Sequence, residues 1–145
     1  MKTETRRSVH ILVLTMSLVV CGVAQAHDPT VCREATLRGL YILNATGYDI
    51  VNGAAVPKAL VESILFNGDG TLSSPNATVS INGNILSFAD VPGTYAVESN
   101  CTGSLSFGSI ATWDLFISPG GSEIFMIQTA PGSPVFEGIA KRVKR

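Results

Sequence analysis

The sequence predicts an all-β domain, a small antiparallel up-and-down barrel of about eight strands that follows a signal peptide. Short segments rich in Val, Ile, Thr, Phe and Tyr recur about every 10 to 15 residues, separated by clusters of Gly, Pro, Asn and Asp. No segment after residue 30 keeps a helical period for three turns. Most connections are short, which favours hairpins in a barrel over the long crossings of a sandwich.

Residues 1–26 have the three parts of a secretory signal peptide. Three basic side chains near the start precede the apolar run 11–20, and an A-x-A cleavage site ends at Ala26. The apolar run is too short for a membrane span, which needs about 20 residues. A lipid-modified Cys21 lacks the small residue that should precede it, and a twin-arginine signal lacks its apolar pair. We expect a secreted or periplasmic mature domain, residues 27–145, without a membrane span.

The first half of the mature domain is expected to hold four strands. The candidates, in order, are Gly39–Thr46, Lys58–Phe66, Thr71–Ile81, and Ile85–Phe88 continuing after a break as Thr94–Glu98. The turns Asn67–Gly70 and Asn82-Gly83 lie between them, because Gly and Asn supply the positive φ of tight hairpins. This arrangement predicts consecutive hairpins.

The second half is expected to continue the same pattern with four shorter strands. The candidates are Gly103–Phe107, Ala111–Ile117, Glu123–Thr129 and Val135–Arg142. Turns at Pro119–Gly121 and Pro131-Gly132 precede the last two strands. The even spacing along the whole chain indicates a single domain.

Composition and charge exclude several classes of protein. The 145 residues are 46% hydrophobic and 14% charged, with a formal net charge of -1. A charge so near zero gives no electrostatic footprint for nucleic acid or for an anionic membrane surface. Ample apolar content with few charges is also unlike a disordered chain. A folded domain without a nucleic-acid partner is expected.

The cysteines point to a structural role. Cys21 would leave with the signal peptide, so Cys32 and Cys101 remain in the mature chain. An even pair in an exported chain is most simply a disulfide. Two free thiols that serve catalysis or bind a metal are the alternative, but no Cys-x-x-Cys spacing and no nearby His supports it.

Histidine chemistry is nearly absent from the mature chain. Its one histidine, His27, would be the new N-terminal residue. Ser-His-Asp and Cys-His nucleophile arrangements are therefore excluded unless His27 folds back into a cleft. We predict no metal site and no cofactor.

Three carboxylates remain as candidate functional groups. Glu62, Asp114 and Glu137 each share a strand face with apolar residues, by the period of two along a strand. If such a face points into the barrel, desolvation raises the pKa of the carboxyl toward a value useful for acid-base work. If it points outward, the carboxylate is solvated. Glu62 and Asp114 are the catalytic candidates.

Polar and aromatic side chains complete the candidate site. Tyr41, Tyr95 and Gln128 could orient a ligand by hydrogen bonds, and Glu137 is grouped with them. Ordinary core tyrosines are the alternative. Trp113, the sole Trp, is expected in the core.

Several motifs spread over the mature chain occur together in one group of proteins. They are Thr36-Leu37-x-Gly39-x-Tyr41, Phe66-x-Gly68-Asp69-Gly70, Gly93-Thr94-Tyr95-x-Val97-x3-Cys101-Thr102-Gly103 and Gly138-x-Ala140-Lys141-Arg142. With these motifs the chain resembles small secreted bacterial proteins of the allene oxide cyclase type, which are calycin-like β-barrels. The resemblance implies an eight-stranded barrel and a disulfide between Cys32 and Cys101. It implies no catalytic residue, since none of the characterised cyclases' residues matches a position here.

Two hypotheses on function follow, with a third beside them. The first is non-catalytic binding of a small hydrophobic ligand, or a structural role in the cell envelope. The alternative is an allene oxide cyclase-like or dirigent-like cyclase or isomerase that acts in the barrel lumen, with Glu62 or Asp114 as its acid-base group. Surface adhesion would require a large exposed apolar patch. The sequence predicts neither the ligand nor the oligomeric state.

Overall fold

Eight antiparallel strands form a closed barrel in the computed structural model, which describes residues 31–132 and 134–144. The predicted signal peptide and His27 lie outside these residues. The strands are β1 Gly39–Val51, β2 Ala54–Phe66, β3 Thr71–Ile81, β4 Asn84–Val97, β5 Thr102–Ser106, β6 Thr112–Ile117, β7 Glu123–Ala130 and β8 Val135–Arg142. Each strand pairs with the next along the chain, and β8 pairs with β1. The predicted all-β, up-and-down barrel is confirmed.

Two regions differ from the prediction by more than one residue: the β1–β2 hairpin and the middle of β4. β1 and β2 meet at the two-residue turn Asn52-Gly53, where both residues have positive φ (52° and 79°). This Asn-Gly pair makes one long hairpin of the two strands. β4 is continuous through the predicted break. Its pairing with β3 skips one position, where Asp90, at a φ of 52°, faces Pro75. Because Pro75 has no N–H to donate, the ladder is interrupted there at one position while β4 itself continues.

The core follows the alternation of side chains along each strand. In β1, for example, Tyr41, Leu43 and Ala45 are buried while the residues between them are exposed. The rings of Tyr41 and Tyr95 each stand edge-on to Phe66, with centroids 5.1 Å and 4.9 Å away. Edge-to-face pairs of this kind stabilise a core beyond the area they bury.

One end of the barrel, the closed end, is covered by the N-terminal segment. Its short 3-10 helix, Glu34–Thr36, is held by the Tyr95 hydroxyl, which donates to the carbonyls of Glu34 (2.9 Å) and Leu37 (3.1 Å). The Cys32–Cys101 disulfide fastens the same segment to the β4–β5 turn, with Cα atoms 4.9 Å apart. The predicted disulfide is confirmed. None of the described helices is long and apolar enough to cross a membrane.

The seam between β1 and β8, which joins the two ends of the barrel sheet, depends on close backbone approach. Ala45 of β1 lies opposite Gly138 of β8, and Gly47 lies opposite Phe136. A Cβ on Gly138 would collide with the Asn44 carbonyl oxygen and with Ala45, and one on Gly47 would collide with β8 backbone. Glycine therefore allows the two strands to pack this tightly.

The opposite end, the open end, is incompletely walled. β4 pairs with β5 only over Thr94–Val97, so the first part of β4 pairs with β3 alone among the described strands. The loop 107–111 between β5 and β6 faces this gap. Exposed apolar side chains lie on both sides of it, with Leu86 49% and Ile110 47% exposed. The interior is therefore accessible from this side.

Candidate ligand-binding site

A cavity of about 150 Å³ occupies the open half of the barrel. Strands β2 and β3 supply one wall, and Leu86, Phe88 and Val91 of β4 supply the next. Phe107, Ile110 and Ala111 border the gap, and Trp113 and Phe136 lie on the remaining strands. A cavity of this volume accommodates a molecule about as large as benzene. The wall is mostly apolar and rich in aromatic rings, as small-molecule sites commonly are.

Glu62 and Ser74 form the polar floor of this cavity, where the open half meets the packed core. On β2 the inward side chains run from Lys58 at the open end through Leu60 and Glu62 to buried Ile64 and Phe66. Only the first three of these line the cavity. Glu62 therefore lies at the boundary between the cavity and the packed core of the barrel.

The two floor groups are buried, and one of them, the Ser74 hydroxyl, lacks a regular hydrogen-bond partner within the described part of the chain. Glu62 is 6% exposed and Ser74 1% exposed. Burial raises the pKa of the Glu62 carboxyl from its ordinary 4.5 to about 7, and the nearby Ser74 side chain lowers it by less. Ser74 Oγ has no hydrogen-bond partner of regular geometry among the described residues. Buried polar groups in native proteins are nearly always hydrogen-bonded, so an unpartnered hydroxyl calls for an explanation. A polar group of a bound ligand would provide the missing partner.

Lys58 and Gln128 form a second polar cluster at the open end of the cavity. Lys58 Nζ donates to Asp49 Oδ1 and to Gln128 Oε1, both at 3.0 Å, and lies 4.6 Å from the centre of the Phe136 ring. Gln128 Nε2 in turn donates to the carbonyl of Ala130 at 2.9 Å. The lysine charge is thus compensated by Asp49, and this cluster is satisfied without a ligand.

Two of the candidate carboxylates lie on the outside of the barrel. Asp114 and Glu137 are both exposed. Neighbouring residues on the same strands point inward instead: Trp113 lies beside Asp114, and Phe136 beside Glu137. Because side chains alternate along a strand, neither carboxylate can reach the cavity. The structure brings Glu62 and Gln128 to the cavity and leaves these two outside it.

Tyr41 and Tyr95 point into the barrel but lie at the closed end, away from the cavity. The Tyr41 hydroxyl donates to the Gly121 carbonyl and accepts from Arg142 Nε at 2.8 Å. The Tyr95 hydroxyl is bonded to the N-terminal segment. Both hydroxyls are occupied in fastening chain segments to the barrel. Burial raises the pKa of each.

Comparison of the chain with protein-family models, with curated proteins and with solved structures finds no match. Of what the calycin-like resemblance implies, the closed barrel of eight antiparallel strands and the Cys32–Cys101 disulfide are confirmed. A relationship to allene oxide cyclases, and secretion, stay predictions.

Sequence reasoning did not single out Lys58 or Ser74. Lys58 shares the inward face of Glu62 at a spacing of four residues, so following the period of two back along β2 would have found it. Ser74 is harder to find, because the inward phase of β3 shifts between Ser74 and Ala77. The one sequence signal for that shift is Pro75.

Proposed function

We propose that this barrel binds a small, mostly apolar molecule in the cavity of its open half. The observation that carries the proposal is the mostly apolar cavity that ends on the buried Glu62 carboxyl and on a buried Ser74 hydroxyl without a regular hydrogen-bond partner in the described chain. Burying a polar group without a hydrogen bond costs free energy. A ligand with an apolar body and one polar group recovers that cost and fills the space.

The edge of the cavity supports the same proposal. Leu86, Phe88 and Ile110 line the cavity and remain substantially exposed around the gap between β4 and the 107–111 loop. Exposed apolar groups gathered at the mouth of a cavity are typical of binding sites. A bound molecule would cover part of this surface.

Trp113 provides a direct test, because it is the only Trp of the chain and lines the cavity. Iodobenzene is a small apolar probe whose heavy atom quenches indole fluorescence. We expect saturable quenching of the Trp113 emission as iodobenzene is added. Quenching that rises linearly without saturation would indicate random collision and contradict binding. The structural role in the cell envelope would then be the remaining part of the first hypothesis.

Two variants of β3 separate cavity binding from surface binding. Ala77→Leu adds volume inside the cavity, whereas Thr78→Leu adds it on the exposed outer face of the same strand. We expect Ala77→Leu to weaken iodobenzene binding by about tenfold or more, and Thr78→Leu to leave it nearly unchanged. Thermal unfolding of both variants checks that they keep the fold.

A catalytic role is the second candidate, and the position of Glu62 favours it. A carboxyl at the floor of an apolar cavity, with its pKa near neutrality, is suited to donate a proton to a bound substrate. This is the acid-base group that a cyclase or isomerase acting in the lumen requires. Styrene oxide, a small apolar epoxide, serves as the test substrate. We expect its proton NMR signals to disappear faster with the wild-type protein than with Glu62→Gln. Equal rates would remove this candidate.

A further inference from the structure

We propose that the ligand of this cavity is an amine with a small apolar body, and that its ammonium group binds between the Glu62 carboxylate and the Ser74 hydroxyl. The inference rests on the proposed function and names the chemical class of its ligand. It follows from the charges of the cavity, from the unfilled hydrogen-bonding capacity at its floor, and from its aromatic wall.

The charge balance of the cavity leaves one site uncompensated. Two ionisable side chains line it, Lys58 and Glu62. Lys58 is paired with Asp49 at 3.0 Å, whereas Glu62 has no cationic partner among the described residues. On the neighbouring strands Glu62 lies opposite Leu43 of β1 and Ala77 of β3, neither of which carries a charge. A ligand with a single positive charge complements this distribution.

The hydrogen-bonding capacity of the floor also matches an ammonium group. An ammonium has three donors and no acceptor. The ionised Glu62 carboxyl is acceptor-only, and Ser74 Oγ accepts no hydrogen bond from the described residues, so its lone pairs are free even where its proton points to Glu62. Charge-assisted hydrogen bonds of this kind are the stronger class. The floor can thus take two of the three donors directly.

The wall favours a cation with an apolar body. Phe107, Trp113 and Phe136 line the cavity, and aromatic faces attract cations, Trp most strongly. The Lys58 ammonium already lies over Phe136 at 4.6 Å. The remaining ring faces and the aliphatic side chains would surround the rest of the ligand.

Three probes of nearly equal shape test the proposal: benzylamine, benzyl alcohol and ethylbenzene. Each is titrated against the protein in competition with iodobenzene at about pH 8, where Glu62 is mostly ionised. We expect benzylamine to bind about tenfold or more tightly than the other two. Equal affinities, or tightest binding of benzyl alcohol, would overturn the amine proposal while the binding function stands. If none of the three competes, the binding function itself fails.

Two variants test whether Glu62 causes the tighter binding of benzylamine. Glu62→Gln should remove the advantage of benzylamine and leave ethylbenzene binding nearly unchanged. Glu98→Gln removes a carboxylate in the exposed turn after β4 and serves as the matched control, with the advantage retained. An advantage that survives Glu62→Gln would contradict the proposal.

Proton release gives a measurement on the wild-type protein alone, so it holds even if Glu62→Gln folds poorly. Below the raised pKa of Glu62, an ammonium must displace the carboxyl proton to bind. Calorimetry in buffers of different ionisation enthalpy should show close to one proton released per benzylamine at about pH 6, and close to none at about pH 8. Absence of release at the lower pH would overturn the proposal.

Discussion

Glu62 carries a group that prefers water at a position where little water reaches it. Its side chain is 6% exposed, and the pKa of its carboxyl is raised from 4.5 to about 7 mainly by burial. The unfolded chain ionises this carboxyl near its ordinary pKa, whereas the folded protein resists doing so. The free energy of unfolding must therefore depend on pH through this residue.

We predict the sign of that dependence. Between about pH 4.5 and pH 7 the unfolded state has lost the Glu62 proton and the folded state retains it, so the contribution of Glu62 to stability is full below pH 4.5 and is lost as the pH rises to about 7. The loss is on the order of 3 kcal/mol. Glu62→Gln should flatten this part of the profile. Denaturant unfolding at a series of pH values measures it.

The control is Glu98→Gln, which removes a carboxylate from the surface. Its profile should follow that of the wild type, because Glu98 is exposed. A Glu62→Gln profile that is parallel to the wild type across this range would show that the carboxyl is not held protonated in the fold.

At the scale of the elements, three features shape the barrel and its cavity: the β1–β2 hairpin, β3 near Pro75 and the β1–β8 seam. The long β1–β2 hairpin places Asp49 beside Lys58, and the phase shift near Pro75 turns both Ser74 and Ala77 inward. At the β1–β8 seam, Gly138 lies opposite Ala45 with no room for a side chain. Single substitutions at these positions should change the stability of the barrel measurably.

We predict that Gly138→Val destabilises the barrel. Its side chain would meet the Asn44 carbonyl and Ala45, so the seam strands must separate. The cost should be about 1–3 kcal/mol, as for other overpacked sites. Thermal or denaturant unfolding measures it. Ala59→Val, on the exposed outer face of β2, is the control and should change stability little; a similar loss in both variants would contradict the role of the seam.

The sequence predicts these elements better than it predicts their faces. All eight predicted strands overlap the observed ones, but the prediction ends β1 at Thr46 and begins β2 at Lys58 and so omits the Asn52-Gly53 turn, a strong hairpin signal. The sequence left the direction of the Glu62 face open, because Val61 and Leu65 on the outer face of β2 are as apolar as its inner face. In β7 apolar residues lie on both faces, with Ile124 buried and Phe125 exposed, so a period of two cannot tell inside from outside.

The candidate site was predictable only in part, for a related reason. Glu62 and Gln128 reach the cavity, but Tyr41 and Tyr95 share the interior without sharing the site. Position along the barrel axis depends on which turns lie at which end and on where packing stops. Neither is encoded in the alternation of one strand.

At the scale of the whole molecule, the disulfide joins the N-terminal segment to the middle of the chain. Cys32 and Cys101 are separated by 69 residues, and the loop that they close holds the first four strands. A cross-link over so long a loop restricts the unfolded chain strongly.

We predict that replacing both cysteines with alanine lowers the free energy of unfolding by about 2–4 kcal/mol. Chemical reduction of the wild-type protein should lower stability by a similar amount, which separates the cross-link from the loss of the buried Cys32 side chain. Denaturant midpoints of the oxidised, reduced and double-alanine forms give the comparison. Equal midpoints for all three would show that the bond adds nothing.

The seam has a further consequence for how the protein is made. Every other neighbouring pair of strands is joined by a short connection and can form as soon as its second strand has been synthesised. β1 waits for β8, which ends only at Arg142. A chain cut short before Val135 would keep most of its hairpins yet expose two unpaired strand edges, on β1 and β7. Such edges recruit other chains, so truncation of these few C-terminal residues should convert a closed molecule into one that aggregates.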